Sequence, residues 1–255
     1  MAKLNHKVFG SGEPIIIMHG LFGMLDNWQT IGKNLSNDYM VYLIDLRDHG
    51  KSDHTDKFNY PLLAQDVAEF MESEWIHNAH IIGHSMGGKT AIQLANDYPD
   101  MVKKLIVVDI GIKAYKGGHE TILNALQSVP IDEVKSRQEV EDILSNTISD
   151  GSIRLFLMKN LSRDKKSGGY RWKMNLPLLI KHYDDILAGI SLSEVIDTHT
   201  LIIRGGQSAY ILDEDIPEIS SHFSDVDIKT VVDAGHWVHA DHPDELLSLV
   251  RSFIG

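Results

Sequence analysis

The chain has 255 residues, 43% of them hydrophobic and 24% charged, enough to bury one large core. It contains no cysteine, which excludes disulfides, thiolate zinc sites, iron–sulfur clusters and a cysteine nucleophile. A formal net charge of −12 argues against binding nucleic acid.

In chain order, the first signals are negative. Residues 1–8 lack the apolar stretch of a secretory signal. No apolar run approaches the roughly 18 residues of a membrane span. A soluble, cytoplasmic protein is the expectation. Short β-branched runs at residues 15–18, 41–44, 79–82 and 105–108 then read as buried parallel strands. Helical patterns alternate with them: Leu62, Ala64, Val67, Ala68 and Phe70 share one apolar face, and Ala91, Ile92, Leu94 and Ala95 share another. This alternation predicts an α/β fold with a mostly parallel sheet covered by helices on both faces. The rhythm returns with strands at 201–203 and 228–232 and helices at 216–222 and 245–253.

The middle differs. Residues 111–189 show helical patterns at 122–126, 134–144 and 176–187 and no convincing strand. They hold 12 Lys and Arg against 10 Asp and Glu, whereas the rest of the chain holds 12 against 26. The expected organisation is a core of residues 1–110 and 190–255 with a helical cap, 111–189, inserted into it.

The strongest chemical signal is Gly83-His84-Ser85-Met86-Gly87, between a strand and a helix. That is the setting of a nucleophile elbow, where the serine sits on a strained turn and the flanking glycines avoid clashes a Cβ would make. The helix N-terminus offers N–H groups and a positive dipole to a developing oxyanion. His19-Gly20-Leu21-Phe22-Gly23 follows the first core strand and can aim a second N–H at the same oxyanion. A serine needs a base, and the chain has fourteen histidines, so position must choose. His236 follows the strand 228–232 and precedes the last helix, at the sheet edge where α/β proteins carry their sites. His239 and His242 read as polar residues at a helix start, and the His-rich stretch with Asp241 lacks the partners of a metal site. Lys89, one turn into the nucleophile helix, reads as a surface or inter-element salt bridge. Asp45, Arg47 and Asp48 read as structural hydrogen bonding near the site.

Together His-Gly-Leu-Phe-Gly at 19–23, Asp-Leu-Arg-Asp-His-Gly-Lys-Ser at 45–52, Gly-His-Ser-Met-Gly-Gly-Lys at 83–89 and Gly-His-Trp-Val-His at 235–239 resemble α/β-hydrolases. More closely, they are similar to the YbfF-type bacterial esterases and their mitochondrial abhydrolase-domain relatives. The likeness spans nearly the whole chain, including Trp-Lys-Met-Asn-Leu-Pro at 172–177. In many α/β-hydrolases the triad acid follows the strand that here is 201–203. This chain reads Gly205-Gly206-Gln207-Ser208-Ala209-Tyr210 there, with no carboxylate before Asp213. Asp109 ends the earlier strand 105–108, and the YbfF-type esterases are similar in taking their acid from that position. Asp109 is therefore assigned, with Asp213 or Asp215 as rivals.

The resemblance implies acyl transfer by Ser85, His236 and Asp109, with the N–H groups of Leu21 and Met86 as oxyanion hole and no metal or organic cofactor. The implied partner is a small-molecule ester or thioester. Residues 154–173 carry seven basic side chains (Arg154, Lys159, Arg163, Lys165, Lys166, Arg171, Lys173) against Asp164 alone. They read either as a solvated loop or as a landing site for the phosphates of acyl-CoA. Phe22, Trp172, Tyr210 and Trp237 are candidate pocket walls. A C–C hydrolase or lyase, or a catalytically idle ligand-binding relative, are the alternatives on the same fold.

Overall fold

The structure, a computed structural model, describes residues 2–164 and 168–255. Its elements run β1 (His6–Phe9), β2 (Pro14–Met18), α1 (Gln29–Leu35), β3 (Met40–Ile44), α2 (Tyr60–Ser73), β4 (Ala79–His84), α3 (Met86–Asp97) and β5 (Val102–Val108). Five helices follow, α4 (Glu120–Ser128), α5 (Arg137–Ser145), α6 (Gly151–Met158), α7 (Leu176–Lys181) and α8 (Tyr183–Leu187), with strands β6 (Leu161–Arg163) and β7 (Tyr170–Trp172) between α6 and α7. The chain closes with β8 (Thr200–Gly205), α9 (Ile216–Ser221), β9 (Val226–Val231), α10 (Val238–Asp241) and α11 (Pro243–Ile254).

The large sheet has the order β1-β3-β2-β4-β5-β8-β9, and every pairing is parallel except β1 with β3. Successive side chains on each inner strand enter opposite faces. Ile16, Met18, Ile44, Ile81, Leu105 and Val107 join one apolar cluster with Leu63 and Val67 of α2 and Leu94 of α3. Ile15, Ile17, Leu43, Ile82, Ile106 and Val108 join the other, with Ile31 of α1 and Leu246 and Val250 of α11. Each such side chain is essentially out of water, a contribution of about 1.5–3 kcal/mol apiece before conformational entropy is counted. Residues 111–189 pack on the first of these faces through Leu123, Leu126, Val140, Leu144, Leu157 and Leu179.

Two sequence expectations change here. The 111–189 segment is not purely helical, because β6 and β7 form an antiparallel hairpin, with Leu161 opposite Trp172. Its apparent single helix at 176–187 is two, broken at His182. Among the described residues no helix is long and apolar enough to cross a membrane.

What matters for the site is the carboxyl edge of the sheet. The loops after β2, β4, β5, β8 and β9 all open there, on either side of the β2–β4 pair where strand order reverses.

Candidate active site

Ser85 lies between β4 and α3 with φ 53° and ψ −121°, a left-handed φ that a non-glycine residue adopts only under constraint. Its N–H donates to the Val108 carbonyl at 3.0 Å, tying the elbow to β5. The glycines around it are needed. A Cβ on Gly83 would lie 2.2 Å from the Gly87 carbonyl oxygen, and one on Gly87 would lie 2.5 Å from that of His19. The elbow thus packs directly on the loop after β2.

Asp109 caps β5, is fully buried and also has a positive φ, 51°. Its Oδ1 accepts from the Gly205 N–H at 2.9 Å; its Oδ2 accepts from His236 Nδ1 at 2.7 Å and from the Ser208 hydroxyl. The rivals are engaged elsewhere. Asp213 pairs with Arg204 at 2.6 Å and Asp215 with Lys113 at 2.5 Å. With Nδ1–H given to Asp109, Nε2 of His236 is left with its lone pair. Tyr210 stacks on the imidazole at 3.8 Å between centroids and 13° between planes, and His84 Nε2–H donates to the His236 carbonyl at 2.9 Å.

The loop after β2 is held from several sides. Phe22, at φ 59°, donates its N–H to His49 Nε2 at 3.3 Å and accepts from Asn160 Nδ2 at 2.7 Å. Those bonds occupy Phe22, whereas the N–H of Leu21 has no acceptor among the described residues. Met86 begins α3, where helix geometry leaves N–H groups unpaired. His49 itself donates from Nδ1 to the Arg47 carbonyl at 2.9 Å, and Asp45 accepts from the Leu25 N–H at 2.7 Å and the Lys51 N–H at 2.9 Å. The charged stretch at 45–52 therefore scaffolds the loop.

Ser85, His236, Leu21, Phe22 and Trp237 line one cavity of about 320 Å³, with His119, Phe156 and His239. Tyr210 and Met86 line a smaller neighbouring space instead, which also reaches Ser85 and Leu21. Trp172 lies in β7 against the core and outside the lining of either.

Two residues are not where the sequence suggests. Lys89 is no surface salt bridge. It is 1% exposed, and its ammonium donates to the carbonyls of Lys113 at 3.0 Å, Leu187 at 3.4 Å and Ala188. Burial pushes its pKa down to about 8. His239 is not a solvated helix start but stacks on Trp28 at 4.4 Å and faces the cavity. Ser208 and His119 had no local signal. Ser208 stood in a turn notable only for its missing acid. His119, bonded to Tyr183 and Tyr210 at 3.0 Å and 3.3 Å, reaches the site from the residue before α4.

The chain matches the alpha/beta hydrolase fold family over residues 13–243. The chain belongs to that family. The hydrolase is 31% identical over 245 residues to the esterase YbfF of Escherichia coli, covering 96% of this chain and 94% of that one. It is 35% identical over 251 residues to the sn-1-specific diacylglycerol lipase ABHD11 of Xenopus laevis, covering 95% and 80%. Among solved structures, a marine microorganism esterase superposes with a TM-score of 0.97 at 41% identity, covering 99% of this chain and 100% of that one.

The buried histidines around the site carry a stability consequence. Burial lowers His19 to about 4 and His49 to about 3, and sets His84 well below 6.5. All three stay neutral in the fold while the unfolded chain protonates them below about 6.5. The unfolded state then binds more protons, so stability is complete above that pH and is lost as pH falls towards the folded values. Each contributes up to about 1.4 kcal/mol per pH unit, roughly 4 kcal/mol per unit for the three. Melting temperature measured by differential scanning fluorimetry should be flat from pH 8 to 7 and fall steeply between pH 6 and 4.5. A flat profile down to pH 5 would contradict the neutral, buried state of these rings.

Proposed function

We propose that this hydrolase is a serine carboxylesterase working through an acyl-enzyme, with residues 111–189 as a cap over the site. Ser85 Oγ attacks the ester carbonyl carbon while His236 Nε2 takes its proton. Asp109 holds the imidazole with Nδ1 protonated and stabilises the charge that forms. The oxyanion develops towards the N–H groups of Leu21 and Met86. As the C–O bond breaks, His236 returns the proton to the leaving alcohol. Water then repeats the attack on the acyl-Ser85 ester, and the acid departs with Ser85 restored.

What carries this reading is the 2.7 Å bond from His236 to a buried Asp109, beside a serine held at φ 53° on a glycine-flanked elbow. Kinship with proteins named as esterases and lipases supports an ester as the substrate. An acyl-CoA thioester draws less support. Arg154 is paired with Glu141 at 2.7 Å, Lys173 donates to the Lys159 carbonyl at 2.7 Å, and Lys165 and Lys166 lie outside the described residues.

The test combines turnover of p-nitrophenyl butyrate with labelling by a fluorophosphonate. The expected result is one adduct per chain, mapped to the peptide holding Ser85, with hydrolysis falling in proportion to labelling. Full hydrolysis after stoichiometric labelling, or an adduct on another serine, would refute the assignment.

A further inference from the structure

Ser85 stands at the junction of two unequal spaces. The larger, about 320 Å³, is bordered by His236 and its neighbours Gly235 and Trp237. The smaller, about 30 Å³, runs the other way, between Met86 and Lys89 on α3 and Ile186 and Leu187 on α8, under Tyr210. Ser85, Leu21 and His119 border both. Among the described residues His236 borders the large cavity only, and the Tyr210 ring stacked on its imidazole faces the small one.

The chemistry assigns a direction to each space. Once Ser85 has attacked, the proton on His236 Nε2 must pass to the leaving oxygen, so the alcohol half sits on the side that His236 borders. The acyl chain then extends from the carbonyl carbon into the space beside Met86. At roughly 10–15 Å³ for each water-sized group, that space admits about two or three non-hydrogen atoms beyond the carbonyl.

Its walls are held by bonds within the fold. The three N–H groups of the Lys89 ammonium are taken by the carbonyls of Lys113, Leu187 and Ala188. The hydroxyls of Tyr60 and Tyr115 donate to the carbonyls of Ile186 and Tyr210, at 2.6 Å and 2.9 Å. The donors of Lys89, Tyr60 and Tyr115 are thus engaged within the fold, while the N–H groups of Leu21 and Met86, which border the same space, serve the oxyanion.

Building on the serine-esterase reading, we propose that the space beneath Tyr210 is the acyl subsite and the larger cavity the alcohol subsite. The enzyme thereby selects esters of short acids, up to about four carbons, with large apolar alcohols. Phe22, Phe156 and Trp237 supply the apolar wall on the alcohol side.

Octyl acetate and ethyl octanoate are isomers of the same size that differ in which half is long. Initial rates followed by titration of released acid should give octyl acetate a kcat/KM at least about 100-fold higher, the scale of excluding several methylenes from a pocket. Equal rates, or preference for ethyl octanoate, would overturn the assignment. Ile186→Ala opens the end of the small space and should raise kcat/KM for p-nitrophenyl hexanoate relative to p-nitrophenyl acetate by about tenfold; an unchanged ratio in the folded variant counts against the assignment. Loss of both isomers and of p-nitrophenyl acetate in the wild type would instead sink the esterase reading, and this one with it.

Discussion

Ser85→Ala is expected to lower kcat for p-nitrophenyl butyrate by about six orders of magnitude, to a residue of activity supplied by the oxyanion donors and binding alone. The substitution removes Oγ and nothing else. Alanine keeps the same Cβ, so the backbone strain at φ 53° is unchanged, and the Ser85 N–H bond to Val108 is made by the main chain. Among the described residues the Ser85 hydroxyl bonds to no other group of the fold, so the melting temperature should stay within about a degree or two of wild type. KM for the residual reaction and the affinity for a product acid should be nearly unaltered, since the cavity walls remain. Steady-state kinetics beside a thermal melt separate these outcomes. A variant with a tenth of the wild-type rate would require another nucleophile.

The constraint at Ser85 has company. Phe22, Asp48 and Asp109 also have positive φ, and with Ser85 they make four of the five such non-glycine residues among those described, all at or beside the site. Each costs about 1–3 kcal/mol and is held by fixed neighbours: Phe22 by His49 and Asn160, Asp48 by Thr55 and Asn175, and Asp109 by Gly205 and His236. The strained residues occupy the loops whose N–H and carboxylate groups the proposed chemistry uses.

How much of this was legible in the sequence depended on how local its cause is. The five inner strands are buried on both faces, so each carries a continuous apolar run and was readable to within a few residues; the edge strand β9 was readable from Ile228 and Val231 although Asp227, Lys229 and Thr230 are exposed. β1 pairs only at an edge, with Lys7 and Val8 exposed, and its four residues carry no such pattern. β6 and β7 are three residues each and exist because they pair with one another. α1 was hidden by Gly32, which lowers helix propensity but lets the helix sit against Leu43. α6 did have a signal, Asp150, whose side chain caps Ser152 and Ile153. In the site, Ser85, His236 and the loop of Leu21 sit in short motifs at strand ends and could be named. Lys89 and His239 were misread because the sequence does not say what covers a helix from outside. Ser208 and His119 come from loops distant in sequence, and only the folded chain brings them to Asp109 and Ser85.

Asp109→Asn should reduce kcat by about four orders of magnitude with little change in KM. The size follows from the three donors that converge on this carboxylate, which is fully buried. An amide has one acceptor atom where the carboxylate has two. If its oxygen faces the Gly205 N–H, its NH2 confronts Ser208 and His236. The imidazole then gains a bond only by moving its proton to Nε2, and in that tautomer it cannot accept the proton of Ser85. If the amide is turned over, its NH2 meets the Gly205 N–H, a buried donor-to-donor contact that costs about 1–3 kcal/mol. Either orientation spoils the base or strains the loop. No neighbouring acid can substitute: the Asp213 side chain is 88% exposed and paired with Arg204, and that of Asp215 is paired with Lys113. Asp213→Asn and Asp215→Asn should therefore leave kcat within about threefold of wild type, which sets the three variants apart in one assay. A near-normal rate for Asp109→Asn would mean that the Tyr210 ring stacked on the imidazole and the His84 bond to the His236 carbonyl suffice to orient the base, and the pair would then be a dyad in which Asp109 serves only to hold the loop of Gly205 against β5.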